Sequence, residues 1–279
     1  MPKTIFYNGK FYKKGRRILT LFDRSIFFGD AVYDAMIGHG GGIFLLDDHL
    51  ERLISNAKRI GIVCNHSMAE LREILFNVAK KTKLDEYFLY IQLSRCSSER
   101  THSYPSDQGT ALLITAKEFK IPPREKRLKL ISVEDKRYGY CDVKTVNLLP
   151  NVIAAHTAEI AGCDEAVFVR DGRVTECAHS NISIIRDGVI YTHPDSHFIL
   201  PGIAKKRLLA ASSEIGIPVI ETPFSLDELT HADEVLVTST TKICLSANEL
   251  NGRPIGGKSA DLLEKLQNHL FFEYTNWIM

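Results

Sequence analysis

The chain has 279 residues, 44% of them hydrophobic and 25% charged, with a formal net charge of +1, the balance of a globular protein long enough for one large domain or two ordinary ones. That charge gives no electrostatic footprint that points to nucleic acid or an anionic membrane. Six scattered cysteines with no C-x-x-C pair, an N-terminal stretch without an apolar leader and no bilayer-length apolar run together predict a cytoplasmic protein with reduced thiols.

From the N-terminus, Thr4-Ile5-Phe6-Tyr7 and Phe11-Tyr12 flank Asn8-Gly9, a strong signal for a two-residue hairpin. A second hairpin is expected to turn through Gly38-His39-Gly40-Gly41-Gly42. Leu50, Leu53, Ile54, Ala57 and Ile60 follow helical spacing, with Gly61 suited to the cap. Ser67 and Glu70 read as a capping box before the apolar stripe Leu71, Ile74, Leu75, Val78. YFLYIQLSR (87–95) and ALLITA (111–116) read as strands, joined by the long polar loop CSSERTHSYPSDQG, a candidate for function by its length. KEFKIPPREKRL (117–128) is the most linker-like stretch and divides the chain into predicted domains 1–120 and 121–279. Beyond it, LKLISV, EAVFVR, NISII, GVIYTH and EVLVTS read as strands and 151–161, 203–215 and 259–275 as helices. Asp171-Gly172 and Asp187-Gly188 are predicted tight turns. This order is neither a βαβ series nor all-β, and it predicts two α+β domains.

Three motifs fail on context. Gly252-Arg-Pro-Ile-Gly-Gly257-Lys258-Ser259 fits the P-loop pattern, but SANELN before it looks turn-like and Asn251-Gly252 looks like a hairpin, so a P-loop nucleotide-binding protein is the remote alternative. His39-Gly40-Gly41-Gly42 resembles an esterase oxyanion segment, yet no G-x-S-x-G elbow accompanies it. His193 and His197 sit four apart on a turn with no further ligands, so no metal is expected.

A different set survives. Lys144 precedes the mostly apolar Val146–Leu149, Arg52 lies on the first helix, Glu176 ends a strand, Gly202 opens a helix and Thr238-Ser239-Thr240-Thr241 closes a strand. Singly, each reads as a solvated charge or a polar element end. Jointly they supply an amine, a carboxylate for a pyridine nitrogen and an anion site, which are the needs of pyridoxal 5′-phosphate.

On FFGDAVYDAM, LDDHLERLISNAK, DVKTVNLLP, GRVTECAHSN, GVIYTHP, ILPGIAKKR and EVLVTSTT, the chain resembles the class IV (fold type IV) pyridoxal-phosphate aminotransferases, and among them most the D-amino acid aminotransferases. The resemblance implies a two-domain α+β fold with the cofactor in the interdomain cleft. It implies that Lys144 is the Schiff-base lysine and proton shuttle, and that Glu176 pairs with the pyridine nitrogen. The phosphate falls to Arg52, the backbone at Ile203 and Ala204, and Thr240 and Thr241. Arg100-Thr101-His102 matches the carboxylate trap that D-amino acid enzymes use with a tyrosine, here Tyr33. In the family, Arg100 and His102 reach the partner subunit's site, which implies a homodimer. The substrates implied are a D-amino acid such as D-alanine and a 2-oxo acid such as 2-oxoglutarate; the alternatives on the same scaffold are an L-branched-chain aminotransferase and an aminodeoxychorismate lyase. The sequence departs from the pattern at His179, at Ser183 (for an aromatic residue) and at Ala204 (often threonine).

Overall fold

A computed structural model describes residues 2–106 and 109–278. Asp107 and Gln108 of the predicted polar loop lie outside the described residues, as do both terminal methionines. The chain forms two compact units: one takes in the chain up to Lys120 together with Val143–Asn147, the other Ile121–Asp142 and Leu148–Trp277. Lys144, assigned by chain order to the second region, therefore packs with the first. Its segment pairs with a strand there, a long-range contact that local sequence does not announce.

In the first unit, β1 (Thr4–Tyr7) and β2 (Lys10–Tyr12) form the Asn8-Gly9 hairpin, whose turn residues have φ of 43° and 82°. Two positive φ values give the turn whose twist matches the strands. A short helix α1 (Arg24–Phe28), not foreseen from sequence, is capped by Asp23, which accepts from the Ser25 N–H. β3 (Ala31–His39) and β4 (Gly42–Ile43) make the glycine hairpin. Helices α2 (Leu46–Arg59) and α3 (Met68–Thr82) follow, the latter opened by the Ser67–Glu70 capping box. β5 (Glu86–Arg95) and β6 (Thr110–Glu118) complete an antiparallel sheet of order β2-β1-β6-β5-β3-β4. Alternation along β5 sends Tyr87, Leu89, Ile91 and Leu93 to one face, where they meet Leu50 and Leu53 of α2 and Leu71, Leu75 and Val78 of α3. Each such side chain contributes roughly 1.5–3 kcal/mol on full burial. That sum outweighs any surface pair and sets which side of α2 faces the sheet. Val32, Asp34 and Met36 of β3 are buried on the same register.

The second unit holds β7 (Arg127–Glu134), α4 (Leu149–Ile160), β8 (Glu165–Arg170), β9 (Arg173–Cys177), β10 (Asn181–Arg186), β11 (Val189–Thr192), α5 (Ile203–Glu214), β12 (Val219–Glu221), α6 (Leu226–His231), β13 (Glu234–Ser239), β14 (Ile243–Leu250), β15 (Arg253–Pro254) and α7 (Ala260–Ile278). Its mixed sheet runs β12-β11-β10-β13-β14-β7-β8-β9, with β15 beside β14. The pairs β11–β12, β14–β7 and β7–β8 are parallel. Asp171-Gly172, Asp187-Gly188 and Asn251-Gly252 all turn with two positive φ values. Val167, Val174, Ile182, Ile184, Val235, Val237 and Leu245 build the main core of this unit. No helix among the described residues is long and apolar enough to cross a membrane.

One expectation is corrected here. Ser246–Leu250 of SANELN lie in β14, not in a turn, because β13 pairs with its start and β7 runs along its other edge; only Asn251 turns. A strand thus precedes the P-loop-like stretch and a helix follows it, as that motif needs, but Gly252 turns a hairpin into β15. At the start of α7 the Ser259 N–H donates to Glu234 Oε1 (3.1 Å), and Lys258 Nζ donates to the His231 carbonyl (2.8 Å). A carboxylate already holds the place where a phosphate would sit.

Candidate active site

In the first unit the segment bearing Lys144 runs antiparallel to the start of β3. The Tyr33 N–H donates to the Lys144 carbonyl (2.9 Å), the Val146 N–H to the Ala31 carbonyl (3.2 Å), and Val32 bridges Thr145. Asn147 locks the far end by donating to the Gly29 carbonyl (2.9 Å). Gly29 has φ +62°, and a Cβ there would lie 2.2 Å from Asn147 Oδ1, so only glycine fits the lock. The backbone therefore holds Lys144 beside Tyr33, with Nζ 3.4 Å from the hydroxyl and 4.4 Å from the ring centroid. Tyr33 stacks on Tyr90 (5.3 Å between centroids), whose hydroxyl donates to Gln92 Oε1 (2.7 Å). Among the described residues Lys144 makes no ion pair with a carboxylate. Its amine faces an aromatic ring and a hydroxyl, a setting in which it can act on a carbonyl.

Arg52 points from α2 to β3. Its Nε and Nη2 donate to the two oxygens of Asp34 (2.8 Å each), and His49 Nδ1 lies 2.7 Å from Oδ1. Asp34 is fully buried. Burial by itself raises its proton affinity, but Arg52 and His49 win and hold the carboxyl well below the usual carboxylate range. The unfolded chain thus takes up this proton at a higher pH than the folded one, so the stabilisation is complete above the ordinary aspartate range of about 4 and is lost on acidification. Asp34→Asn is expected to cost about 3–5 kcal/mol at pH 7, since it leaves Arg52 without its buried partner, and markedly less at pH 3. Urea denaturation at both pH values checks this; equal losses at the two would refute it.

The loop after β5 is tied from beneath. Arg24, buried under it, donates through Nη1 to the Thr101 carbonyl (2.7 Å) and through Nε to Asp30 (2.8 Å). Arg95 donates to Asp30 (2.9 Å) and stacks on Tyr104, its Cζ 3.5 Å from the ring centroid. These ties present Arg100 and His102 outward. Both are exposed, and both pack on Phe28, with Arg100 Cζ 5.2 Å and the His102 ring 5.4 Å from its centroid. Among the described residues neither hydrogen-bonds or stacks with Tyr33.

In the second unit Glu176 sits near the end of β9, 6% exposed. Arg137 Nη1 donates to its Oε1, while Asn181 Nδ2 (3.0 Å) and the Leu200 N–H (3.1 Å) donate to Oε2. Asn181 also donates to the Leu200 carbonyl (2.9 Å), which brings the turn before α5 against the start of β10. A Cβ on Gly202 would lie 1.9 Å from Asn181 Oδ1, so glycine is required by this close approach. α5 opens at Gly202 with no side-chain cap and no acidic residue in its first turn, where Ile203 and Ala204 lie. That leaves N–H groups and the positive helix end available to an anion. Asn181 pairs with Thr238 across β10 and β13, and Thr238 Oγ1 is buried without a hydrogen-bond partner among the described residues. Thr240 and Thr241 form the adjoining β13–β14 turn, with Thr241 Oγ1 3.3 Å from Ser239 Oγ. Lys205, next in the α5 motif, is buried as a structural cation on the His193 carbonyl (2.7 Å) and Asp195 (2.8 Å).

Two of the three departures have local partners. His179 Nδ1 lies 2.8 Å from buried Glu165, which Lys242 also contacts at 3.1 Å. Ser183 donates to Thr192 Oγ1 (2.9 Å) in the cross-strand pair of β10 and β11. Ala204 adds no hydroxyl to the first turn of α5.

Sequence reading passes over Asp34 and Arg137. Asp34 carried a signal, being a lone acid on the core register of AVYDAMIG. Arg137 carried none, since EDKRYGY has the look of a solvated turn.

Residues 31–250 match the family described as Amino-transferase class IV. The chain is 34% identical over 278 residues to a D-alanine aminotransferase of Bacillus licheniformis, covering 96% of this chain and 98% of that one. It is 35% identical to the D-alanine aminotransferase of Staphylococcus aureus strain N315, over 94% and 95% of the two chains. Its fold matches that of the branched-chain aminotransferase of Thermoproteus uzoniensis, solved with norvaline, with a TM-score of 0.88 at 22% identity over 99% and 98% of the chains.

Proposed function

The chain belongs to the class IV aminotransferase family, and on that footing we propose that it is a pyridoxal 5′-phosphate-dependent transaminase. It exchanges the amino group of a D-amino acid, such as D-alanine, for the oxo group of a 2-oxo acid, such as 2-oxoglutarate, in a ping-pong cycle. The single observation that carries the reading is Lys144, held by backbone pairing with its amine 3.4 Å from the Tyr33 hydroxyl and without a carboxylate partner among the described residues. Similarity to D-alanine aminotransferases over nearly the whole chain supports the choice of enantiomer.

The residues present suit the cofactor. The uncapped start of α5 offers the N–H groups of Ile203 and Ala204 to a phosphate, and Thr240 and Thr241 offer hydroxyls. Arg52 adds a guanidinium that Asp34 holds in one orientation. Glu176, fed by three donors, is kept as an anion for a pyridinium N–H. Pyridoxal 5′-phosphate supplies the electron sink that makes the substrate Cα–H acidic. Lys144 Nζ takes that proton and returns it. Tyr33, Arg100 and His102 bind the α-carboxylate by charge-assisted hydrogen bonds, which fixes the face from which Lys144 reaches Cα.

Arg100 and His102 serve the partner subunit's site in a homodimer. Their packing on Phe28, with no hydrogen bond or ring contact to Tyr33 of their own chain among the described residues, supports this. So do Leu21 (68% exposed) in the first unit and Leu149 (71%) in the second, apolar side chains suited to cover by a second copy.

The test is the amino-acid half-reaction with both enantiomers. D-alanine is expected to convert the bound cofactor to its amine form with a kcat/KM at least about 100-fold above that of L-leucine. Faster conversion by L-leucine would move the assignment to a branched-chain aminotransferase.

A further inference from the structure

Arg137 binds no substrate or cofactor in the reading above, yet nearly all its donors are committed. Nε and Nη2 donate to the two oxygens of Asp135 (2.9 Å each), Nη2 also to the Phe198 carbonyl (3.0 Å) and Thr175 Oγ1 (3.2 Å), and Nη1 to Glu176 Oε1. Its Cζ lies 4.3 Å from the centroid of the Phe168 ring. Behind it, Asp135 accepts from Arg170 Nη2 (3.1 Å) and from Thr175 Oγ1 (3.0 Å). Four charged side chains therefore follow in alternating sign, Arg170, Asp135, Arg137, Glu176, and sum to zero. Asp135, Arg137 and Glu176 are each less than 9% exposed. Stability does not account for such a chain, because well-packed apolar residues serve a core as well as a buried ion pair does. Its order and its end point, one functional carboxylate, call for another role.

We propose that Arg137 is the positioning residue that fixes Glu176 as an anion and thereby keeps the proton shared between Glu176 and the cofactor's pyridine nitrogen on the nitrogen. The inference rests on the reading that Glu176 faces that nitrogen. The shared proton has two homes, the ring nitrogen opposite a carboxylate or a neutral carboxylic acid opposite a bare ring. Burial of a carboxyl group by itself favours the neutral acid. Arg137 touches the carboxylate and the ring lies beyond it, so the guanidinium stabilises the anion more than it penalises the ring cation. Asp135 cancels the guanidinium's field at longer range, which keeps that penalty small. Arg137 itself stays charged: burial works against its ionisation, but Asp135 and Glu176 more than restore it. Asn181 and the Leu200 N–H hold the other oxygen, so Arg137 governs orientation as well as charge.

The experiment uses holoenzyme loaded with cofactor carrying ¹⁵N in the ring, in wild type, Arg137→Met, Arg137→Lys and the double variant Arg137→Met/Asp135→Asn. The last removes opposite charges together and guards against a folding failure of Arg137→Met. The ¹⁵N shift reads ring protonation, dialysis reads cofactor affinity, and the half-reaction with D-alanine reads kcat and KM separately. Wild type is expected to give a protonated ring nitrogen. Arg137→Met and the double variant are expected to lose that signature, with kcat down about 10- to 100-fold and KM changed less than about threefold; Arg137→Lys is expected to restore much of both. If the variants keep the wild-type ¹⁵N shift in a wild type that bonds the cofactor through Lys144, the inference falls alone. If wild type fails to bond the cofactor through Lys144, the functional reading falls and the inference with it.

Discussion

Lys144→Ala is expected to abolish transamination, with a loss of at least about 10⁴-fold, and to remove the visible absorbance of the lysine-bound cofactor. Both effects have one origin. In the proposed reading the amine beside Tyr33 both bonds to the cofactor and carries the substrate proton, and alanine can do neither. The fold is expected to survive the change. Lys144 is partly exposed, its pairing with β3 runs through backbone atoms, and Asn147 anchors the segment independently. Thermal unfolding of the apoprotein is therefore expected to stay within about 1 kcal/mol of wild type. Borohydride reduction of wild type followed by peptide mapping should place the label on Lys144. A yellow Lys144→Ala protein with an unchanged spectrum would sink the assignment.

Glu176→Gln is the second large effect, although it replaces one side chain by another of nearly the same shape. Both oxygens of Glu176 accept hydrogen bonds, one from Arg137 and the other from Asn181 and the Leu200 N–H. A glutamine offers a single oxygen, so its amide nitrogen must face a donor whichever way it turns. Arg137 also loses a buried counter-charge. The expected cost is about 2–3 kcal/mol in urea denaturation of the apoprotein, the penalty of unpaired buried polar groups. On the proposed reading the variant also deprives the ring nitrogen of its anionic partner, and the half-reaction with D-alanine is expected to slow roughly 10²- to 10³-fold. Wild-type stability and rate in this variant would refute the role given to Glu176.

What could be read from the sequence follows the range of the interaction responsible. The Asn8-Gly9, Asp171-Gly172 and Asp187-Gly188 turns and the Ser67–Glu70 box are set by residues within a few positions of each other, and the structure has them where expected. SANELN was misread because its polar composition is overruled by two neighbouring strands distant in sequence. The placement of Lys144 in the first unit depends on pairing with Ala31 and Tyr33, more than a hundred residues away. Resemblance picked out Arg52, but the fully buried Asp34 that orients it becomes visible only when β3 and α2 face each other. Arg137 is the extreme case, since a charge in a charged loop gives no sign of being buried.

The excursion of Val143–Asn147 bears on how the chain can be divided. Val143 is buried in the first unit's core, and the residues after it cover the backbone of Ala31–Tyr33. A fragment ending at Lys120 would lack that cover, leaving bare hydrogen-bonding groups beside β3 and a gap where Val143 sits. The two units are therefore not interchangeable modules. Gene recombination at the linker would separate a strand from its partner and the Lys144 amine from the tyrosine that flanks it, so shuffling within such chains has to carry both together.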